Sequence, residues 1–253
     1  MKKAVSSILL NTIKELQSLQ SLEKFSLAGG TNLALRFNHR ESVDIDLFCT
    51  EIIGFKGFKS IQQEVENYFR DNAFSFIDPT NINDQYTFLR FFIKCNSVVI
   101  KVDLIQNMKT MDPIEEIEGI RLFSLRDIGL FKLLSASSRP AKKDIYDLYY
   151  ITEQIPIIEL YQTLLEKYTR FNGEKDRSIF DLDKEENAIH NPLLLLRFDS
   201  NYKLSKDKMM HSHDNIIIME NSVSWRMASI HWRMQIRRLC LHLNIEYPSP
   251  RKH

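Results

Sequence analysis

Leu27-Ala-Gly-Gly-Thr-Asn-Leu-Ala-Leu35 and, four residues further on, Arg40-Glu-Ser-Val-Asp-Ile-Asp-Leu-Phe48 set the architecture of this chain. The second stretch alternates, with Val43, Ile45 and Leu47 on one side of an extended strand and Asp44 and Asp46 on the other. Two carboxylates leaving one strand face have alpha carbons roughly 6.5 Å apart and repel unless a cation or proton lies between them. In the first stretch a short strand runs into Gly29-Gly30, and Leu33, Ala34 and Phe37 then follow at helical spacing. A helix opened by two glycines presents backbone N–H groups and the positive end of its dipole, which suits phosphate. By itself Asp-x-Asp is a common solvated strand face, and Gly-Gly is a common turn. The pair in this order, with Asp103 on the strand Ile100-Lys-Val-Asp-Leu-Ile105, is a far more specific pattern. Three carboxylates would form a hard oxygen site of the kind magnesium takes together with substrate phosphates.

Outward from this core, the apolar spacing predicts an N-terminal amphipathic helix through Val5, Ile8, Leu9, Ile13 and Leu16. It also predicts a helix over 58–73 and strands over 86–94 and 98–105 with a turn at Asn96. Ser124-Leu-Arg-Asp127 resembles a capping box opening a helix to about Ser137, which Arg139-Pro140 breaks. Helices over 142–154 and 157–168 follow. Beyond Gly173 the pattern weakens: 173–190 reads as charged loop, 192–198 as an apolar run, 203–214 as polar and 216–219 as a short strand. Residues 225–243 read as a basic helix. The expected fold class is α/β (α+β): a core over 1–122 with a mixed sheet flanked by helices, then a mainly helical part over 123–253.

The chain has 253 residues, 43% of them hydrophobic, enough for a sizeable core, and a formal net charge of +1 that names no partner. Charge is distributed unevenly, however. From Asn221 onward six Lys or Arg face one acid, Glu246, leaving the rest mildly acidic. The three cysteines, Cys49, Cys95 and Cys240, are odd in number and far apart, as expected of a chain in a reducing cytoplasm. The apolar stretch of the first helix is too short to span a membrane, and no signal-peptide pattern precedes it. A cytoplasmic protein without a membrane partner is therefore expected.

With these motifs assembled, the chain resembles the AbiEii/AbiGii-type nucleotidyltransferase toxins, within the DNA polymerase beta-like nucleotidyltransferase superfamily. The two quoted stretches look like that family's first motif. Asp103 matches the third acid of the fold, Lys132-Leu-Leu-Ser-Ala-Ser-Ser-Arg139 its KxxxxxxR motif, and Lys143-Asp-Ile-Tyr-Asp-Leu-Tyr149 its KDxxDLY motif. The resemblance covers about residues 25–150. It implies metal-dependent transfer of a nucleotide from an NTP to an acceptor hydroxyl, often an RNA (tRNA) end, by the toxin of a toxin–antitoxin or phage-defence system with its own antitoxin. It implies that Gly29, Gly30 and Thr31 hold the triphosphate and that Asp44 and Asp46 bind magnesium. Asp103 would complete the metal site and position or activate the attacking hydroxyl. Lys132 would neutralise a phosphate, and Asp144 and Asp147 would shape the nucleotide pocket.

Elementary geometry is compatible with these roles. Lys132 and Arg139 are about two helical turns apart and can face one pocket, where they would offset triphosphate charge. Asp144 and Asp147 share a helix face, although pairing with Arg139, Lys142 or Lys143 is their plainer reading. Arg40 and Ser42 either contact phosphate or shape the loop. His211-Ser-His213 lacks the further ligands of a zinc site, and His39 reads as a loop residue. In the basic helix Trp225-Arg226, His231-Trp232-Arg233 and Arg237-Arg238 could stack bases and meet phosphate. Met227, Ile230, Met234, Leu239 and Leu241 instead suggest a structural helix packed on the body. Two other functions fit the same core: nucleotide transfer to a small molecule such as an antibiotic, and a catalytically silent nucleotide-binding module.

Overall fold

The computed structural model describes residues 3–78, 83–181, 186–199 and 215–249; His211, His213 and the stretch 203–214 lie outside these. Its chain divides into two units, Met1–Ser124 with Phe171–Asp183, and Leu125–Arg170 with Lys184–His253.

The first unit is a mixed seven-stranded sheet with flanking helices. In chain order it contains α1 (Ser7–Ser18), β1 (Ser26–Leu27), α2 (Gly29–Phe37), β2 (Ile45–Phe48), α3 (Gly54–Phe69), β3 (Ala73–Ile77), β4 (Phe88–Cys95), β5 (Val98–Ile105), β6 (Glu115–Ile117) and β7 (Ile120–Leu122). The strand order is β3-β4-β5-β2-β1-β7-β6. β2 runs parallel to β5 and β1 parallel to β7, while the other neighbours are antiparallel.

Strict alternation makes these strands. Leu89, Phe91 and Ile93 of β4, Ile100, Val102 and Leu104 of β5, and Ile45 and Leu47 of β2 are buried. Val43, expected on that same face, precedes the strand and is 60% exposed, so the extended pairing starts only at Ile45. α3 supplies Phe58, Ile61 and Val65 at helical spacing to the core, and Phe58 meets Phe25 edge to face with centroids 6.3 Å apart. It ends at Phe69, because Ala73 already begins β3, an edge strand with no clean alternation in its sequence.

Three side-chain amides fasten the connections. Gln106 accepts from the backbone of Ile53 and Gly54 at the start of α3 and donates to the carbonyls of Asp84 and Thr87. Asn107, at φ +60°, donates to the carbonyls of Lys175 and Arg177, and Gln85 donates to those of Glu174 and Arg177. Segment 171–181 is thus stitched to the strands by the buried Asn107 amide and the partly exposed Gln85 amide.

The second unit is helical: α4 (Leu125–Ser138), α5 (Lys142–Thr152), α6 (Ile157–Arg170) and α7 (Trp225–His242), with a 3-10 turn over Pro192–Leu196. The stretch read as a strand over 216–219 contributes only a single bridge residue, Ile218. α7 turns inward Ala228, Ser229, Trp232, Gln235, Ile236, Leu239 and Cys240. Trp232 is wholly buried and its indole N–H donates to Leu195 O at 3.0 Å. Of the apolar residues expected to pack this helix, Leu239 does so, whereas Met227, Ile230, Met234 and Leu241 point outward. The small Ala228 and Ser229, which permit close approach, select the inner face.

Asp127 and Lys167 form a buried pair in this unit, 3.5 Å apart, with the ammonium also 4.1 Å from the centre of the Phe131 ring. Burial pushes the Lys167 ammonium down to about 8, against the pull of Asp127. Between that value and the ordinary lysine range, the unfolded chain holds the proton and the folded one has lost it, so stability rises with pH. From pH 7.5 to 9.5 the rise due to this group is about 2 kcal/mol. Urea unfolding of wild type and of Asp127→Leu/Lys167→Met, compared at the two pH values, cancels the other alkaline titrations. Parallel pH profiles would show that Lys167 is charged throughout.

Candidate active site

The site is built where β2 and β5 run parallel. Asp46 and Asp103 are direct partners in register, so their side chains leave adjacent points of one sheet face. Asp44 lies just before β2, two residues from Asp46, with its side chain 40% exposed. The opposite face at these positions is core, so the acids have a rigid floor.

Two cations missing from the sequence expectations lie among them. Arg90 of β4 is the register partner of Asp103 and grips its carboxylate with both arms, Nε to Oδ1 at 2.6 Å and an η nitrogen to Oδ2 at 3.1 Å. Lys101, two residues before Asp103 on the same face of β5, lies 3.2 Å from Asp103 Oδ2 and 3.4 Å from Asp44 Oδ2. The hydrogen bond that Arg90 donates to Asp103 holds its guanidinium above the ordinary range, helped by the charges of Asp103, Asp46 and Asp44. Burial pulls the Lys101 ammonium down, but the charges of Asp103, Asp44 and Asp46 outweigh it and the net shift is upward. The signal for Lys101 was in the sequence, since it shares the parity of Asp103. Arg90 shows only as a cation on the polar side of an apolar strand, and its partner requires the register.

The glycines shape the rim. Gly29 has φ +61°, and a Cβ there would strike the Asp46 carboxylate; a Cβ on Gly30 would strike the Arg40 guanidinium. The backbone of α2 therefore opens directly beside Asp46. Among the described residues no side chain caps this helix, and its first N–H groups are those of Gly29, Gly30 and Thr31. Thr31 itself is buried, and its hydroxyl donates to Asp44 O. Ser42 Oγ, 2.8 Å away, must then donate to Thr31, because the threonine's one proton is used. These two hydroxyls hold the backbone of Asp44. Arg40 is buried, donates to Glu41 O at 3.2 Å and lies against Gly30. His39 is fully buried beside Phe37.

A set of three acidic side chains offering only hard oxygens, on one face and surrounded by cations drawn to them, suits a magnesium ion. Among the described residues no three such groups yet converge as a metal cluster. Asp103 has both oxygens turned to Arg90 and Lys101 instead.

The second unit brings together the other expected residues. Lys132 is buried with its ammonium 2.7 Å from Asp144 Oδ1 and 2.7 Å from Asp147 Oδ2. Arg139, just past α4, holds Asp144 through Nε at 2.8 Å, and Ser135 Oγ donates to the same carboxylate at 2.9 Å. Burial would raise the Asp144 carboxyl, but the charges of Lys132 and Arg139 prevail and hold it below the usual carboxylate range. Lys132 and Arg139 thus converge on Asp144, with α4 and α5 as the frame. Tyr146, from the same motif, donates to Val223 O at 2.6 Å, and the Tyr150 hydroxyl accepts from Val223 N–H at 3.0 Å.

Among the residues read as a base-stacking face, Trp232 belongs to the core, and Arg233 pairs with the buried Asp199 at 2.6 Å. His231 lies against Tyr149 and Glu153. Arg226, Arg237 and Arg238 remain exposed. No described helix is long and apolar enough to cross a membrane.

Comparison with known proteins adds three findings. Residues 14–229 match the family model described as nucleotidyl transferase AbiEii toxin of a type IV toxin–antitoxin system. An uncharacterised protein of Aquifex aeolicus (strain VF5) is 29% identical over 139 residues, which is 55% of this chain and 63% of that protein, so the match spans less than two thirds of the relative's length. Among solved structures, MenT4, a nucleotidyltransferase toxin from Mycobacterium tuberculosis H37Rv, superposes with a TM-score of 0.49 at 12% identity, covering 91% of this chain and 84% of that one. The family match runs over most of the chain, from before the Gly-Gly turn to beyond the helix of Asp144 and Asp147: this protein belongs to the AbiEii family of nucleotidyl transferase toxins of type IV toxin–antitoxin systems.

Proposed function

We propose that this nucleotidyltransferase moves an NMP from an NTP to a hydroxyl at an RNA end, in the cytoplasm, as a toxin accompanied by a cognate antitoxin. The observation that carries the reading is the register pairing of Asp46 with Asp103 beside an uncapped Gly-Gly helix start. The acceptor oxygen attacks the α-phosphorus, the bond to the bridging oxygen breaks, and pyrophosphate leaves with the NTP's remaining charge. The α2 N–H groups of Gly29 and Gly30 receive phosphate oxygens, while Thr31 and Ser42 fix the Asp44 backbone and Arg40 shapes the rim. Asp44, Asp46 and Asp103 would hold magnesium, and Asp103 would position the acceptor. Magnesium, when bound there, neutralises triphosphate charge and polarises the phosphoryl oxygens. In the helical unit, Lys132 and Arg139 hold fixed positive charge against the buried Asp144 and Asp147, and the half-exposed Arg139 is the group of the four open to a nucleotide phosphate.

Incubating the protein with magnesium, each α-labelled NTP and total cellular RNA tests this. The expected result is label on a discrete RNA band with one preferred NTP, absent with Asp44→Ala. Label on small molecules but on no RNA would refute the RNA acceptor and leave transfer itself standing.

A further inference from the structure

Lys101 bridges two acids of the cluster, and we infer that it is the cluster's resident counter-cation, which a divalent ion entering there displaces. This rests on the reading of Asp44, Asp46 and Asp103 as the metal ligands. Its ammonium bridges Asp44 and Asp103 at 3.4 and 3.2 Å, a place between two carboxylates that a small dication shared by them would also need.

Geometry distinguishes Lys101 from Arg90. Arg90 faces Asp103 directly across the ladder and forms a two-pronged bond with a short 2.6 Å arm. Such a planar fork is the strong form of a carboxylate contact. Lys101 reaches its two acids at distances beyond the 2.7–2.9 Å of a tight charge-assisted bond. It is a point charge on a flexible stem, and its side chain is 30% exposed. When three carboxylates must be neutralised by something, Arg90 is the fixed partner and Lys101 the exchangeable one. Lys101 is therefore a positioning residue that keeps the cluster folded and charge-balanced while the metal is away.

Removing a competing positive charge this close to the ligands will strengthen binding of a dication. A neighbouring charge within about 4–6 Å moves a carboxylate's proton affinity by ten- to a thousandfold, so about tenfold or more is expected for a metal. The test uses Mn2+ as probe, titrated into wild type, Lys101→Met and Lys101→Gln, with binding followed by electron paramagnetic resonance. It is repeated with a non-hydrolysable NTP analogue, and melting is recorded with and without Mn2+. Both variants are expected to bind Mn2+ at least tenfold more tightly than wild type, to melt lower when metal-free, and to recover more of their melting temperature on adding Mn2+. Mn2+ bound equally or more weakly by both variants, with wild-type binding intact, overturns the inference and leaves the metal site standing. Mn2+ bound by none of the three proteins, with or without the analogue, overturns both.

Discussion

Asp46→Asn is expected to lower nucleotide transfer by at least about a thousandfold while leaving the protein close to wild type in stability. The two halves of this result share one cause. Asp46 lies against Gly29 at the opening of α2 and beside Asp103 in register. No other described carboxylate is at once next to the expected phosphate cradle and next to the third acid. Removing its charge at constant volume takes away an oxygen ligand of the metal reading and the contact that joins metal to phosphate. Losing several kcal/mol of transition-state stabilisation corresponds to about three decades of rate. In the fold the same charge repels Asp44 and Asp103 but attracts Arg90 and Lys101. The two effects oppose each other and the substitution leaves no hole, so folding changes little. Single-turnover label transfer and thermal melting on the same preparations decide the matter. Activity within tenfold of wild type would remove Asp46 from the machinery, and a large drop in melting temperature would make it a structural residue.

The part of the site that was legible was the part written in one strand or one turn. Alternation alone placed Asp44 and Asp46, and a second alternating strand placed Asp103, because parity is local and needs no knowledge of the fold. That Asp46 and Asp103 meet required the parallel pairing of β2 with β5, two strands that β3 and β4 separate in chain order. Arg90 was missed for a different reason: the turn read at Asn96 joins its strand to that of Asp103, but only the exact register, with Cys95 opposite Val98, sets Arg90 across from Asp103. The short strands β3, β6 and β7 had too few residues for any period, and they are specified by their neighbours. α7 shows the limit from the other side. Apolar residues lie on nearly all of its faces, so the pattern could not pick the buried one, and Trp232, for which both base stacking and packing on the body were open, is core. In the second unit the helices were legible because breaks at Arg139-Pro140 and Pro156 separate them, whereas the buried Asp127–Lys167 pair, 40 residues apart, was not.

Lys132→Met is expected to destabilise the protein by about 3–5 kcal/mol at neutral pH, the cost of leaving buried charge without its partner. Lys132 holds Asp144 and Asp147 at once, and both carboxylates are inaccessible to water. Arg139 still reaches Asp144, but its own side chain is half exposed, so solvent screens part of that pull. Asp147 is the more exposed to the loss. The pH dependence separates this cause from simple loss of packing. In wild type the Asp144 carboxyl lies below its ordinary range, so its contribution is fully present above the unfolded value, about pH 4, and fades only as pH falls through the folded one. In Lys132→Met, burial without the ammonium pushes the carboxylates upward instead, and protonation then relieves the strain as pH falls. The deficit against wild type is therefore expected to shrink between pH 7.5 and pH 5. A further Asp147→Asn change on the Lys132→Met background is expected to return part of the lost stability at pH 7.5, since it removes the orphaned charge. Urea unfolding at the two pH values measures both effects. A deficit that is constant with pH and unrelieved by Asp147→Asn would mean that Lys132 stabilises by its methylene stem, and that its charge is spent elsewhere, on the nucleotide.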